Sequence, residues 1–281
     1  MDPIASVVIP AHEEEAGIAA GLAQLLSGAR PGEFEVVVVA NACTDRTAEV
    51  ARGAGVRVLE TPEPGKANAL RLGDAACRAF PRLYLDADVE LTCESARALV
   101  AALAEPGVLA CAPTPGWDLD GAGPVARRLH RVHDALVAPS RGLAGVGCYA
   151  LSEEGHARVF PLPDVISDDG WAHASFAPEE RRSVAGARTR VRPARSVAAH
   201  LRRRVRVRLG NRQLAELGRP VTAQPLRLGM LAALVRQRRA GPLDAACFLA
   251  VLLVDRVASR LQRNRQVSWG RDTSSRPAVG A

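Results

Sequence analysis

Two pairs of carboxylates and a single lysine are the residues best suited to chemistry in this chain. Asp86 and Asp88 close the run "RLYLDADVEL" (82–91), and on an extended strand that spacing places both side chains on one face. There they can share a hard cation, and a divalent ion that also grips a diphosphate needs few protein oxygens. Asp168 and Asp169 stand together in "DVISDDGW". Adjacent carboxylates in a poorly solvated site cannot both ionise freely, which moves one pKa toward the range of a useful general base. Lys66, in "PGKANAL", is the only lysine beside 36 arginines, and a compact ammonium acts differently near phosphates from a planar guanidinium. Plainer roles stay open: a turn or helix cap for the first pair, an N-cap for the second, an exposed first-turn position for the lysine.

The elements that must position these groups follow a regular beat. "ASVVIPA", "FEVVVVANA", "VRVLETP" and "RLYLDADVEL" read as strands. Between them "GIAAGLAQLLSGA", with Ile18, Leu22, Leu25 and Leu26 on one face, "TDRTAEVARGAG" and "KANALRLGDAACRAF" read as helices. Continuous Val/Ile/Leu runs mean strands covered on both faces, so the expected class is α/β with a mostly parallel, Rossmann-like sheet flanked by helices. In such sheets ligands bind beyond the carboxyl ends of the strands, and here those ends read "PAHEEE", "ANACTD", "ETPEPGK" and "DADVE". Polar groups from four loops therefore meet at one rim.

After "VLACAPT" the pattern loosens. "GPVARRLHRVHDALV" is an amphipathic helix, "GLAGVGCYALSEEG" a Gly-rich loop entering a strand and a capped helix, and "PLPDVISDDGWAHASF" a loop that starts a helix at 167–169. A strand around "TRVRPARSV" precedes an Arg-rich helix over about 200–217, then two helices near 227–239 and 243–263. The expected organisation is one domain over 1–217 in two halves, about 1–115 and about 116–217. A helical extension follows over 218–265, and the tail from Gln266 has the composition of a disordered segment.

The set "VVIPAHEEEAGI", "VVVVANACTDRT", "GKANALRLG", "LYLDADVEL" and "DVISDDGW", in this order, resembles the family 2 glycosyltransferases, which have the GT-A fold. The resemblance covers about residues 4–175 and implies that 1–217 is the catalytic domain, with about 1–115 its nucleotide-binding half and about 116–217 its acceptor half. It implies that Pro10, Ala11 and Glu14 contact the nucleoside, Glu14 at the ribose, and that Asn41 reads the base edge. Glu13 departs from the pattern, since family members usually have Asn there. It also implies that Lys66 helps hold the donor, that Asp86 lies near the donor's ribose or sugar, and that Asp88 is the principal ligand of Mn2+ or Mg2+. Asp169, with Asp168 beside it, then matches the base of an inverting transfer from a nucleotide sugar, a UDP-sugar being the expected donor, to a hydroxyl on a lipid-linked, glycan or natural-product acceptor. "GVGCYALSEEG" resembles the segment next to the acceptor, though tight packing explains its glycines equally well. Asp45 and Thr47 read as caps, and His12, His130 and His133 as structural or acceptor-facing residues without a third ligand for zinc.

Composition narrows the alternatives. A chain of 281 residues, 48% hydrophobic, can bury one large core. Six scattered cysteines without a CxxC pair read as reduced thiols. The start "MDPIASVVIP" has neither a basic segment nor a cleavage site, and "AACFLAVLLV" is too short to span a bilayer, so a cytoplasmic location is expected. The net charge of +7 divides into −10 for residues 1–170 and +17 for 171–281. An Arg-rich half suits an anionic partner: the donor diphosphate, or the inner face of an anionic membrane touched by "HLRRRVRVRLGNRQL", or neither if the helix face is merely solvated. The QxxRW motif of processive family members is absent, and Arg212 and Gln213 only echo it. Two rival functions are a sugar-1-phosphate nucleotidyltransferase, whose basic glycine-rich loop is replaced here by acid, and a basic nucleic-acid- or membrane-binding protein. Aromatic content of 4% and the lack of a nucleic-acid motif argue against a nucleic-acid partner. Oligomeric state is not legible.

Overall fold

Val/Ile runs with no polar alternation need cover on both sides, and in the computed structural model of the chain, which describes residues 2–138, 141–220 and 228–261, helices provide it. Strands β1 (Ala5–Ala11), β2 (Phe34–Asn41), β3 (Arg57–Thr61) and β4 (Arg82–Leu85) are parallel neighbours, connected through α1 (Ile18–Leu26), α2 (Thr47–Gly53) and α3 (Lys66–Ala76). Every residue of β1 is buried. Beyond β4 the sheet becomes mixed: β7 (Cys148–Leu151) runs antiparallel to both β4 and β6 (Ala110–Trp117), and β8 (Arg181–Val191) pairs parallel with β6 and antiparallel with β5 (Val89–Leu91). The order among the described residues is β3-β2-β1-β4-β7-β6-β8-β5.

Each sheet face has its own core. Ile18, Leu22 and Leu25 of α1 join Leu99 of α4 (Cys93–Leu103) on one side, and Leu70 of α3 packs with Tyr84, Leu151 and Phe176 on the other. A third cluster unites Leu129 and Val132 of α5 (Pro124–Val137) with Leu231 and Leu234 of α9 (Leu228–Arg236) and Phe248 and Val251 of α10 (Pro242–Leu261). The six cysteines are free thiols, four of them buried. Among the described residues no helix is long and apolar enough to cross a membrane. The tail from Gln266 lies outside the described residues.

Two strand expectations need correction. The run 82–91 is not one strand: it breaks at 86–88, where Asp86 N–H donates to Gly147 O (2.9 Å) and Val89 N–H closes a turn on Asp86 O (3.1 Å). Two aspartates cannot continue a strand buried on both faces, so β5 leaves for the far edge of the sheet. Likewise β8 begins at Arg181 rather than near Thr189. Its first six residues are largely exposed and carry no apolar run to betray a strand.

Gly73 brings α3 against the sheet. A Cβ there would lie 2.5 Å from Val8 Cγ1 and 3.0 Å from Val39 Cγ2. Gly73→Ala should therefore cost about 1–3 kcal/mol through overpacking, seen as a lower urea midpoint with secondary structure unchanged by circular dichroism.

Candidate active site

Lys66 is the first residue of α3, following Gly65 at φ 145°, a value that favours glycine. Its Nζ lies 2.7 Å from Asp86 Oδ1 and 2.8 Å from Asp168 Oδ1. Asp86 comes from the turn after β4, and Asp168 from the first turn of α7 (Asp168–Ala174), the helix that follows α6 (Glu153–Val159), so one ammonium joins segments 82 positions apart. A helix N-terminus disfavours a cation, and burial disfavours it further. The carboxylates of Asp168, Asp86 and Asp169 nevertheless overcome desolvation and hold the Lys66 pKa well above its usual value.

The acids divide by environment. Burial, relieved only in part by Lys66 and worsened by Asp169 and Asp86, pushes Asp168 up to about 6. Asp169 feels the same burial, but Lys66, the N–H groups of Gly145 and Gly170 and the Ser167 hydroxyl outweigh it and lower its pKa. Those three donors lie at 2.7, 2.7 and 2.8 Å. Asp168 is buried, whereas Asp169 is partly exposed at the rim. Asp88 is solvent-accessible. Desolvation against the cleft walls and the nearby Asp86 raise its pKa, with Arg203 of α8 (Val197–Glu216) and Lys66 acting in the opposite direction.

One depression is lined by Pro10, Lys66, Asp86, Asp168 and Asp169. Asp88 borders it from the turn, outside the lining. The remaining expected residues sit together at the ends of β1 and β2. Ala11 is buried, and Glu14 is nearly so, its N–H donating to Thr47 Oγ1 (2.7 Å). Asn41 is fully buried, with Nδ2 donating to Gly65 O (2.8 Å) and Oδ1 without a partner among the described residues. A buried acceptor left open is a place where a ligand N–H fits. Neither Asp45 nor Thr47 is the cap of α2: that position falls on Arg46, which makes no side-chain cap bond, while Asp45 Oδ1, one residue earlier, accepts from the N–H of Thr47, the first helical residue, at 3.0 Å.

A metal ion is implied by the resemblance, and the donor set fits a hard divalent one. No group of three His, Cys, Asp or Glu among the described residues could hold an ion, so Asp88 and the side of Asp86 not taken by Lys66 would supply two carboxylates. The remaining positions suit diphosphate and water oxygens.

Several residues that build the site were not anticipated. Tyr149, stacked on Tyr84 at 4.9 Å, lines the depression with a buried hydroxyl that has no partner among the described residues. Gly147, at φ 74°, presents its carbonyl to Asp86 N–H, and a Cβ there would collide with Val89. Gln213 of α8 accepts from Ile166 N–H (2.9 Å) and donates to Asp164 O (2.7 Å), which fixes the chain just before Asp168. Glu13, in a left-handed conformation, accepts from both the N–H and the hydroxyl of Thr44 and ties the β1 loop to the β2 loop. The sequence marks Gln213 as part of the echo noted above, Glu13 as a departure from the family pattern, and Gly147 and Tyr149 only as members of the segment "GVGCYALSEEG", without a role for any of them.

Residues 6–141, just under half of the chain, match the family model described as Glycosyl transferase family 2. The match includes Asp86 and Asp88 and stops short of Asp168 and Asp169. No curated protein matches the chain. Among solved structures, a mannosyltransferase from Pyrobaculum calidifontis in complex with GDP-Man and Mn2+ is 20% identical, with 94% of this chain and 89% of that one covered and a TM-score of 0.63. A mycobacterial protein is 24% identical, with 79% and 77% covered and a TM-score of 0.52. These likenesses show the fold, a mixed α/β sheet of GT-A type.

His173 of α7 supports the loop that reaches Asp169: its Nδ1 accepts from Leu143 N–H at 3.2 Å, and its ring fills the space a Cβ at Gly142 would need. Burial, with Arg181 nearby, lowers its pKa to about 4 against an ordinary 6.5, so the folded state refuses a proton that the unfolded chain takes. Stability is undiminished above about pH 6.5 and falls as pH drops toward 4, by on the order of 2 kcal/mol. Urea melts at pH 7 and pH 5 should show a smaller pH penalty for His173→Asn than for the wild type.

Proposed function

We propose that this chain is a metal-dependent inverting glycosyltransferase that moves a sugar from a nucleoside-diphosphate sugar to a hydroxyl acceptor. The observation that carries this reading is the meeting of Asp86, Asp168 and Asp169 around Lys66, with Asp88 at the rim. It is supported by the family match over residues 6–141 and by a structural neighbour complexed with GDP-Man and Mn2+.

Asp88, with Asp86, holds the divalent ion, which when bound stabilises negative charge on the departing diphosphate. Asn41 and Glu14 face the nucleoside end, beside Pro10 and Ala11. Lys66 is the positioning residue: bonded to both Asp86 and Asp168, it keeps the donor side and the acceptor side in register. Asp169 is the general base because its carboxylate is partly exposed at the rim while Asp168 is buried and tied to Lys66; the raised pKa expected of the pair falls on Asp168 and not on the base. The base takes the proton of the acceptor hydroxyl and the acceptor oxygen bonds to the anomeric carbon. The bond from that carbon to the diphosphate oxygen breaks, its electron pair leaving with the nucleoside diphosphate. Attack from the face opposite the leaving group inverts the anomeric centre.

A panel of UDP- and GDP-sugars, assayed for Mn2+- or Mg2+-dependent release of nucleoside diphosphate, tests the reading and separates it from nucleotidyl transfer, which releases pyrophosphate. Asp88→Asn should lower turnover by on the order of a hundredfold or more. Asp169→Asn should lower kcat by about 10²–10⁴ with donor affinity retained. NMR of the first-formed linkage should show inversion, and retained configuration would overturn the mechanism.

A further inference from the structure

Helix α10 is built inside out. A helix on a water-facing surface normally buries its apolar stripe and exposes its charges. In α10 both carboxylates point inward: Asp244 and Asp255 are 2% and 3% exposed. Asp244 is bound by Arg128 (2.8 Å) and Arg131 (3.0 Å) of α5, and Asp255 by Arg204 and Arg208 of α8 (each 2.7 Å). Phe248 and Val251 meet the packing needs of the inner face. Outward stand Leu243, Leu249, Leu253, Val254 and Val257, which are 57, 40, 64, 52 and 51% exposed. Leu249, Leu253 and Val257 follow one another at i, i+4 and i+8, a single line along the helix. Five of the twelve exposed large apolar side chains among the described residues thus fall on one helix face, a patch rather than scatter.

On α9, α10 and the turn between them the exposed charge has one sign. Over residues 228–257 the only acids are the two buried ones, and the exposed charged residues are Arg236, Arg238, Arg239 and Arg256. We infer that this face of α10 lies in the surface of an anionic lipid bilayer, its leucines and valines below the headgroups and the arginines against the lipid phosphates. The helix lies in the plane of the bilayer; it does not cross it. A second copy of the chain is a poor occupant of the same face, because the symmetric contact would press two arginine rims together. The contact is placed on α10 because its outward face carries the apolar line; in the Arg-rich α8, Arg204 and Arg208 are engaged inward on Asp255, and the exposed Arg202, Arg206 and Arg212 accompany no such line. It stands independently of the glycosyl-transfer reading.

The test uses the full chain with phosphatidylcholine vesicles, with and without phosphatidylglycerol. The wild type should co-sediment with the anionic vesicles, weakly with the neutral ones, and less at high salt. The double variant Leu253→Ser, Val257→Ser, changed at exposed positions and checked for an unaltered thermal midpoint, should lose at least about tenfold in partitioning. In Leu253→Trp the added emission should shift to the blue only when anionic vesicles are present. Equal sedimentation of wild type and double variant overturns the proposal. So does a blue-shifted emission before vesicles are added, the sign that residues 262–281 cover the face, and so does a dimer in light scattering that the double variant dissolves.

Discussion

The site depends on one ammonium ion held between two carboxylates that belong to different parts of the chain. Asp86, Asp88, Asp168 and Asp169 bring four negative charges into a cleft whose nearest compensating charges are Lys66 and, from α8, Arg203. At an effective dielectric constant near 20, two like charges about 4 Å apart repel by about 4 kcal/mol, so a cleft with this balance favours cations. A diphosphate approaching alone meets like charge. The same diphosphate accompanied by a divalent ion meets Asp88 as a partner, so on the proposed reading a need for metal follows from the charges of the cleft before any mechanism is specified.

The first half of the chain cannot assemble this arrangement alone. Asp86 is oriented by the carbonyl of Gly147, and Asp169 by the N–H of Gly145, both from the loop leading into β7. Helix α7, which carries the second pair of acids, is pressed against α8 where both helices are small: a Cβ on Gly170 would crowd Leu214, and one on Gly210 would crowd Ser167. Gln213 then fastens the approach to α7. The acids that follow β4 and those that open α7 therefore share a scaffold, and Lys66 joins them through Asp86 and Asp168.

The β1–β4 half was legible because "SVVIP" and "VVVVA" combine strand length, β-branched content and flanking turn and helix signals, which together favour a buried strand over a buried helix. The acid pairs and Lys66 could be picked out by type and spacing, and the structure does bring Lys66, Asp86, Asp168 and Asp169 together. The geometry expected of Asp86 and Asp88 is not the one found, since a turn, and not the pleat of a strand, carries them. What stayed hidden rests on backbone groups and long-range partners. That Gly145 would donate to Asp169, or that the Tyr149 hydroxyl would lack a partner, depends on contacts between segments distant in sequence, and neither residue type announces it. The early part of β8 was missed for a related reason, being stabilised by pairing to β6 and not by burial of its own side chains.

The surplus of arginine in the second half is partly structural. Arg128, Arg131, Arg204 and Arg208 are committed to two buried aspartates on α10, so a count of charge along the sequence overstates what that half offers to an outside anion. Removing one member of such a set leaves a buried charge unpaired, which costs more than the intact pair contributes. The aspartates and arginines thus fix how α10 is rotated about its own axis, against the tendency of its leucines and valines to turn inward. A rotation maintained against the hydrophobic effect needs something outside the fold to receive the apolar face. Of the surfaces a basic, apolar-centred patch can meet, an anionic bilayer satisfies both halves of that requirement at once.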